Sequence, residues 1–169
     1  FNVTGSAYSG NPTLITVELV SIENTTYGCV NSGLTSSATA RVTPNPAASF
    51  TAVNNCEDST ISFSNTSSIP EGSITTYKWY FGDGDSSVNG SPTHVYSSAG
   101  TYNVTLVVWS DNGCRGEVTQ SVEVYPNPTA DFTFSNVCKN ETFSATDQSS
   151  VASGSITSWF WQFGDGTTS

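Results

Sequence analysis

The chain has 169 residues, 14 acidic side chains against 4 basic ones and a formal net charge of −10, so no basic surface can neutralise the phosphates of nucleic acid or an anionic membrane. No apolar run approaches the roughly 20 residues of a membrane-spanning helix. Ser and Thr make up 52 residues, and 16 Val against 4 Leu and no Met favour strands over helices, so the expected fold class is all-β.

In chain order, the run through Val17 and Leu19 reads as a strand, with Gly28-Cys29 in the hairpin beyond it and a return strand ending at Pro44-Asn45-Pro46. Ser49 to Val53 and Thr60 to Ser64 are predicted short strands, each bounded by Asn and Asp turn formers. Ile74 to Phe81 alternates, with Tyr77, Trp79 and Phe81 on one face and Lys78 and Tyr80 on the other. Gly82-Asp83-Gly84-Asp85 is a turn, since glycine permits positive φ and an Asp carboxylate accepts from nearby backbone N–H groups. Thr93-His94-Val95-Tyr96 leads through Ala99-Gly100 into a strand from Tyr102 to Trp109, with Tyr102, Val104, Leu106 and Val108 inward and Val107 and Trp109 outward. Asp111-Asn112-Gly113 is a hairpin signal, and Glu117 to Tyr125 is the return strand. About seven short strands in roughly 80 residues make a β-sandwich, and Trp79 and Trp161 are expected to fill the space between the sheets.

The chain also resembles itself. A constant shift of 82 lays residues 44–87 over residues 126–169 without a gap, and 22 of the 44 aligned positions are identical. Phe50 falls on Phe132, Cys56 on Cys138, and Trp79-Tyr80-Phe81-Gly82-Asp83-Gly84 on Trp161-Gln162-Phe163-Gly164-Asp165-Gly166. Val17, Leu19 and Gly28-Cys29 correspond to Val104, Leu106 and Gly113-Cys114. The expected organisation is the C-terminal half of one repeat (1–46), a complete repeat of about 82 residues (47–128) and the N-terminal half of a third (129–169), a window on a tandem array.

Tyr77-Lys78-Trp79-Tyr80-Phe81-Gly82-Asp83-Gly84, Pro92-Thr93-His94-Val95-Tyr96, Ala99-Gly100-Thr101-Tyr102-Asn103-Val104-Thr105-Leu106 and Asn112-Gly113-Cys114 together resemble the PKD (polycystic kidney disease) domain family, immunoglobulin-like β-sandwiches of extracellular proteins. The resemblance covers the middle repeat and both partial ones. It departs from the family where Tyr80 and Gln162 replace the usual Asp, and where Ile15 replaces the Tyr of the later strand. The paired cysteines, Pro-x-Pro junctions and Ser/Thr-rich strands are similar to repeats in giant surface adhesins of gliding bacteria, the SprB type, exported by type IX secretion. That resemblance implies a non-catalytic stalk at the cell surface, serving adhesion and gliding motility. The alternative is a secreted spacer or carbohydrate-associated module of a hydrolase, because PKD domains also occur in secreted chitinases, proteases and collagenases.

By the repeat correspondence, each unit carries one early cysteine (Cys56, Cys138) and one late one (Cys29, Cys114). The expected intradomain disulfide is then Cys56–Cys114, with Cys29 and Cys138 paired to cysteines outside the window. One imidazole, His94, removes Ser-His-Asp and multi-histidine metal chemistry within the segment and reads as a packed, hydrogen-bonded strand residue. No catalytic residue and no obligatory cofactor are expected, and Asp83 with Asp85 is a weak calcium option. The motif and core residues to locate are Trp79, Phe81, Gly82, Asp83, Gly84, His94, Tyr96 and Tyr102, with Trp161, Phe163, Gly164, Asp165 and Gly166 in the next repeat. Tyr80, Val107 and Trp109 are expected to form an outward patch. The expected partners are adjacent repeats of the same chain, surface polysaccharide or other cell-envelope proteins.

Overall fold

The computed structural model describes residues 13–24, 26, 27, 29–139 and 141–169, and the regular structure among them is β throughout. β1 (Thr13–Asn24) and β2 (Cys29–Val42) form an antiparallel hairpin. The next eight strands build a sandwich: β3 (Phe50–Ala52), β4 (Asn55–Cys56), β5 (Thr60–Asn65), β6 (Ile74–Tyr80), β7 (Ser86–Ser87), β8 (Thr93–Val95), β9 (Gly100–Ser110) and β10 (Arg115–Tyr125). One sheet has the order β4-β10-β9-β6-β7 and the other β3-β5-β8. β11 (Phe132–Phe134) and β12 (Ala145–Asp147) pair beyond it.

Alternation decides which residues meet between the sheets. Trp79 of β6, Phe81 just beyond its end, and Val104, Leu106 and Val108 from the central strand β9 face Phe50, Ile61 and Phe63 of the smaller sheet, all buried. Trp79 is fully enclosed, meets Phe50 edge-on at 5.1 Å between ring centroids and Phe63 at 5.7 Å, and donates its indole N–H to the Asn89 carbonyl at 2.9 Å. Burying a tryptophan thus leaves no unpaired donor.

The pairings on either side of the sandwich repeat those within it. Phe132↔Asp147 and the bridge Thr129↔Ser150 fall 82 residues beyond Phe50↔Asn65 and Ala47↔Ser68. Val17↔Ala38 and Leu19↔Ser36 match Val104↔Gln120 and Leu106↔Val118 in the β9–β10 pair.

Two expectations are corrected here. Cys56 and Cys114 are free thiols, not a disulfide. Cys56 on β4 runs parallel to the end of β10, level with Tyr125, whereas Cys114 directly precedes Arg115 at its beginning. The ten residue steps of β10, about 3.4 Å each, lie between the two, far beyond the roughly 7 Å that a disulfide spans between Cα atoms. Val107 is 3% exposed and cannot belong to an outer patch. It is a short side chain on the central strand, flanked in register by the longer Lys78 and Glu117. Tyr80 is half exposed and Trp109 half-buried. The backbone of Cys29 lies in β2, and its side chain lies outside the described residues, as does Gly28.

Candidate functional site

A polar constellation lies where the β6–β7 turn meets β8. Phe81 N–H donates to the Asp85 carbonyl at 3.1 Å, closing the turn, and Asp85 N–H donates to Asp83 Oδ1 at 3.0 Å. The other oxygen, Asp83 Oδ2, is 2.6 Å from His94 Nε2 on the opposite sheet. His94 stacks flat on Phe81 (4.2 Å, 5°) and edge-on to Tyr96 (4.6 Å, 85°), and Tyr96 donates its hydroxyl to the Phe81 carbonyl at 2.9 Å. Tyr96 in turn stacks on Tyr102 at 4.1 Å. The Asp83–His94 pair therefore fastens one sheet to the other at the open edge of the sandwich.

Partial burial pushes the Asp83 carboxyl up, but the bond from His94, the Asp85 amide and the charge of His94 together hold it below its ordinary 3.8. Burial, with the neighbouring Asp83 charge and Tyr102, pushes the Tyr96 phenol well above its ordinary range. Neither shift prepares a catalyst. Both Asp83 oxygens are engaged, His94 has a side chain 11% exposed, and the phenol is held neutral. The ligand atoms of Asp83, Asp85 and His94 lie within 4.8 Å of one another. That set supplies two carboxylates and one imidazole nitrogen, fewer oxygen donors than the roughly six to eight that calcium takes.

A second constellation is built at each proline junction. Upstream, Pro46 is buried, and a Cβ on Gly116 would collide with its carbonyl oxygen. Thr43 Oγ1 and Cys114 Sγ are hydrogen-bonded at 3.1 Å, and Arg41 pairs with Glu71. Downstream, Glu57 N–H donates to the Tyr125 carbonyl at 2.9 Å while the Glu57 carboxylate accepts from Ala99 N–H (2.8 Å) and Asn127 N–H (3.0 Å). Asn127 Nδ2 also donates to the Glu57 carbonyl at 3.1 Å. Each linker is thus docked onto the sandwich by named contacts.

Composition and motif reading missed Glu57 and Gly116. In the sequence Glu57 is one acid among turn formers, and its partners lie 42 and 70 residues away. Gly116 sits in a strand, where an unexplained glycine is the available signal of close backbone approach.

Beyond the second junction, Asp165 Oδ1 accepts from Thr167 N–H (2.9 Å) and Thr167 Oγ1 (2.7 Å), the same local turn as at Asp83. Gly166 has φ 86° in that turn, while Gly164 carries no such constraint. Trp161 and Phe163, equivalent to Trp79 and Phe81, are half-buried, and Phe132 is 52% exposed beside an open cavity of 420 Å³. Phe132 and Trp161 line this open cavity.

The PKD-domain family matches residues 42–126. The chain is similar to the pre-pro-metalloprotease PrtV of Vibrio cholerae, at 43% identity over 60 residues, 36% of this chain and 6% of that protein. It is also similar to the collagenase ColA of Bacillus cereus, at 40% identity over 57 residues, 34% of this chain and 6% of that protein. The chain thus spans about 6% of the length of these curated relatives. Among solved structures, the PKD1 domain of Vibrio cholerae metalloprotease PrtV matches at 36% identity, covering 47% of this chain and 96% of that one, with a TM-score of 0.45. The PKD1 domain of Vibrio anguillarum Epp matches at 30% identity, covering 49% and 96%, with a TM-score of 0.47.

Proposed function

Because this chain belongs to the PKD-domain family, we propose that it is a non-catalytic spacer of a larger extracellular hydrolase, a short tandem of sandwiches that holds a catalytic module at a set distance from its polymer substrate. The observation that carries this reading is the docking of both proline junctions. Pro46 packs against Gly116 and Asn127 is clamped by Glu57, so the central sandwich is joined at both ends without slack. Proline holds φ near −65° and favours an extended, semi-rigid connection. Self-similarity at 82 residues, with the strand pairings recurring at the same offset, supports more than one unit in series.

The names of the relatives, a metalloprotease and collagenases, support attachment to a hydrolase over the gliding adhesin implied by the sequence resemblance. Collagen is an extracellular polymer, which accords with the acidic, Ser/Thr-rich surface. The half-exposed Tyr80, with Lys78 Nζ 5.5 Å from its ring centroid, is the more exposed of the two aromatics left in the expected patch, beside half-buried Trp109, and the candidate contact for such a polymer.

The test replaces residues 42–126 in the parent protein by a Gly/Ser linker of equal length. Cleavage of a soluble peptide substrate is expected to persist while turnover of the insoluble polymer falls severalfold. Equal loss on both substrates would assign the segment to the catalytic fold, and no loss on either would remove the spacer role.

A further inference from the structure

Each pole of the central sandwich carries one thiol, and both thiols neighbour the same position of a proline junction. Cys114 Sγ lies 3.1 Å from Thr43 Oγ1, directly upstream of Pro44. Cys56 is the parallel register partner of Tyr125, directly upstream of Pro126. Thr43 and Tyr125 are one position of the 82-residue spacing. At a junction between two such units, that position neighbours both the early cysteine of the upstream unit and the hairpin cysteine of the downstream unit. Cys56 is a register partner of that position, about 4.8 Å from it, and Cys114 Sγ is hydrogen-bonded to the side chain there, so the two cysteines share one neighbour at the junction. Within a unit the length of β10 keeps them at opposite poles.

We propose that consecutive units are stapled across their proline junctions by a disulfide, from the early cysteine of one unit to the hairpin cysteine of the next. Cys56 then bonds the hairpin cysteine of the unit that follows, and Cys114 the early cysteine of the unit that precedes. The inference rests on the tandem reading above. As the S–S bond forms, the two thiols give up two protons and two electrons to a disulfide oxidant such as oxidised glutathione, which is reduced to two thiols. The staple locks the junction that Glu57 and Gly116 dock, and turns a semi-rigid connection into a covalently braced one.

The test extends the 169-residue chain by a second copy of its residues 88–128, which continues the 82-residue register past Ser169 and adds one hairpin cysteine. Arg41, Lys78, Arg115 and Lys139 place Cys29, Cys56, Cys114 and Cys138 on four separate tryptic peptides, and the added cysteine falls on a fifth. After refolding in oxidised and reduced glutathione, thiol blocking and digestion without reduction, peptide 42–78 is expected to be joined to the fifth peptide as the dominant cross-link. Cys56→Ser should abolish that link without creating one from peptide 116–139. A dominant link from 116–139 to the fifth peptide, or from 42–78 to 79–115, overturns the proposal in favour of pairing within a unit. Amide protection across 129–169 separates the two readings. Protection gained with all thiols free overturns the staple and leaves the tandem reading intact, whereas no gain in protection overturns both.

Discussion

Gly82 and Gly84 share one turn but face different constraints. Gly82 has φ 88°, and a Cβ there would sit 2.9 Å from the Asn103 carbonyl oxygen on β9, so a side chain meets both an unfavourable backbone region and a wall of backbone. Gly84 has φ 107° with nothing near its would-be Cβ. Gly82→Ala is expected to cost about 2–4 kcal/mol and Gly84→Ala about 1–2 kcal/mol, read as a difference in urea unfolding free energy. Equal costs would mean that the approach of β9 does not matter. Asp83, one residue on, sets a pH limit. Its carboxyl is held below 3.8 in the fold, so the bond to His94 contributes fully above that value and is lost as pH falls through the lower folded pKa. The stability difference between the parent and Asp83→Asn should therefore be present above pH 3.8 and shrink below it, as measured by thermal unfolding across an acid series. A difference that persists undiminished at the acid end would remove the ionised bond as its source.

Among the elements, β4 has two residues yet decides the most. Its parallel pairing with the end of β10 brings Glu57 under Asn127 and sends Cys56 to the pole opposite Cys114. Glu57→Ala deletes the carboxylate acceptor of two backbone amides at an exposed site. The cost should stay within about 1–2 kcal/mol, while hydrogen exchange at the Asn127 amide rises by at least tenfold with the β9 amides unchanged. Protection of Asn127 equal to that in the parent would mean that the proline linker is held by something else. β6 and β9 were legible in the sequence because seven and eleven residues carry enough alternation to assign their faces. That reading also placed Trp79, Phe81 and the inward residues of β9. β4 and β7 were not legible, since a two-residue strand exists only through its partner and has no period of its own. The same gap explains the expected cysteine pairing: order along the chain suggests joining early Cys56 to late Cys114, but only the parallel register of β4 shows that they lie at opposite ends of the sandwich. Val107 failed for a related reason, because alternation gives the face of a residue and not the height of its neighbours.

For the whole molecule, the scarcity of cations becomes a probe of where the chain is held. Trypsin has four targets, and they sample different degrees of order. Lys78 lies inside β6, between β9 and β7, and donates to Ser86 Oγ at 2.8 Å. Arg115 begins β10 and pairs with Glu117, and Arg41 lies near the end of β2 and pairs with Glu71. Lys139 is exposed in an irregular stretch between β11 and β12, whose aromatic residues Phe132 and Phe134 are 52% and 60% exposed. A protease needs several residues of extended, locally opened backbone, and local opening is cheapest where few apolar contacts must break. Under native conditions the first cut should therefore fall after Lys139. The product containing the sandwich should outlast the other fragments by at least an order of magnitude in time, because cutting at Lys78 or Arg115 requires the two sheets to separate. Mass spectrometry of a digestion time course reads this directly. Early cleavage after Lys78 or Arg115 would mean that the five-stranded sheet opens independently, and a spacer built on it could not hold its neighbours at a set distance.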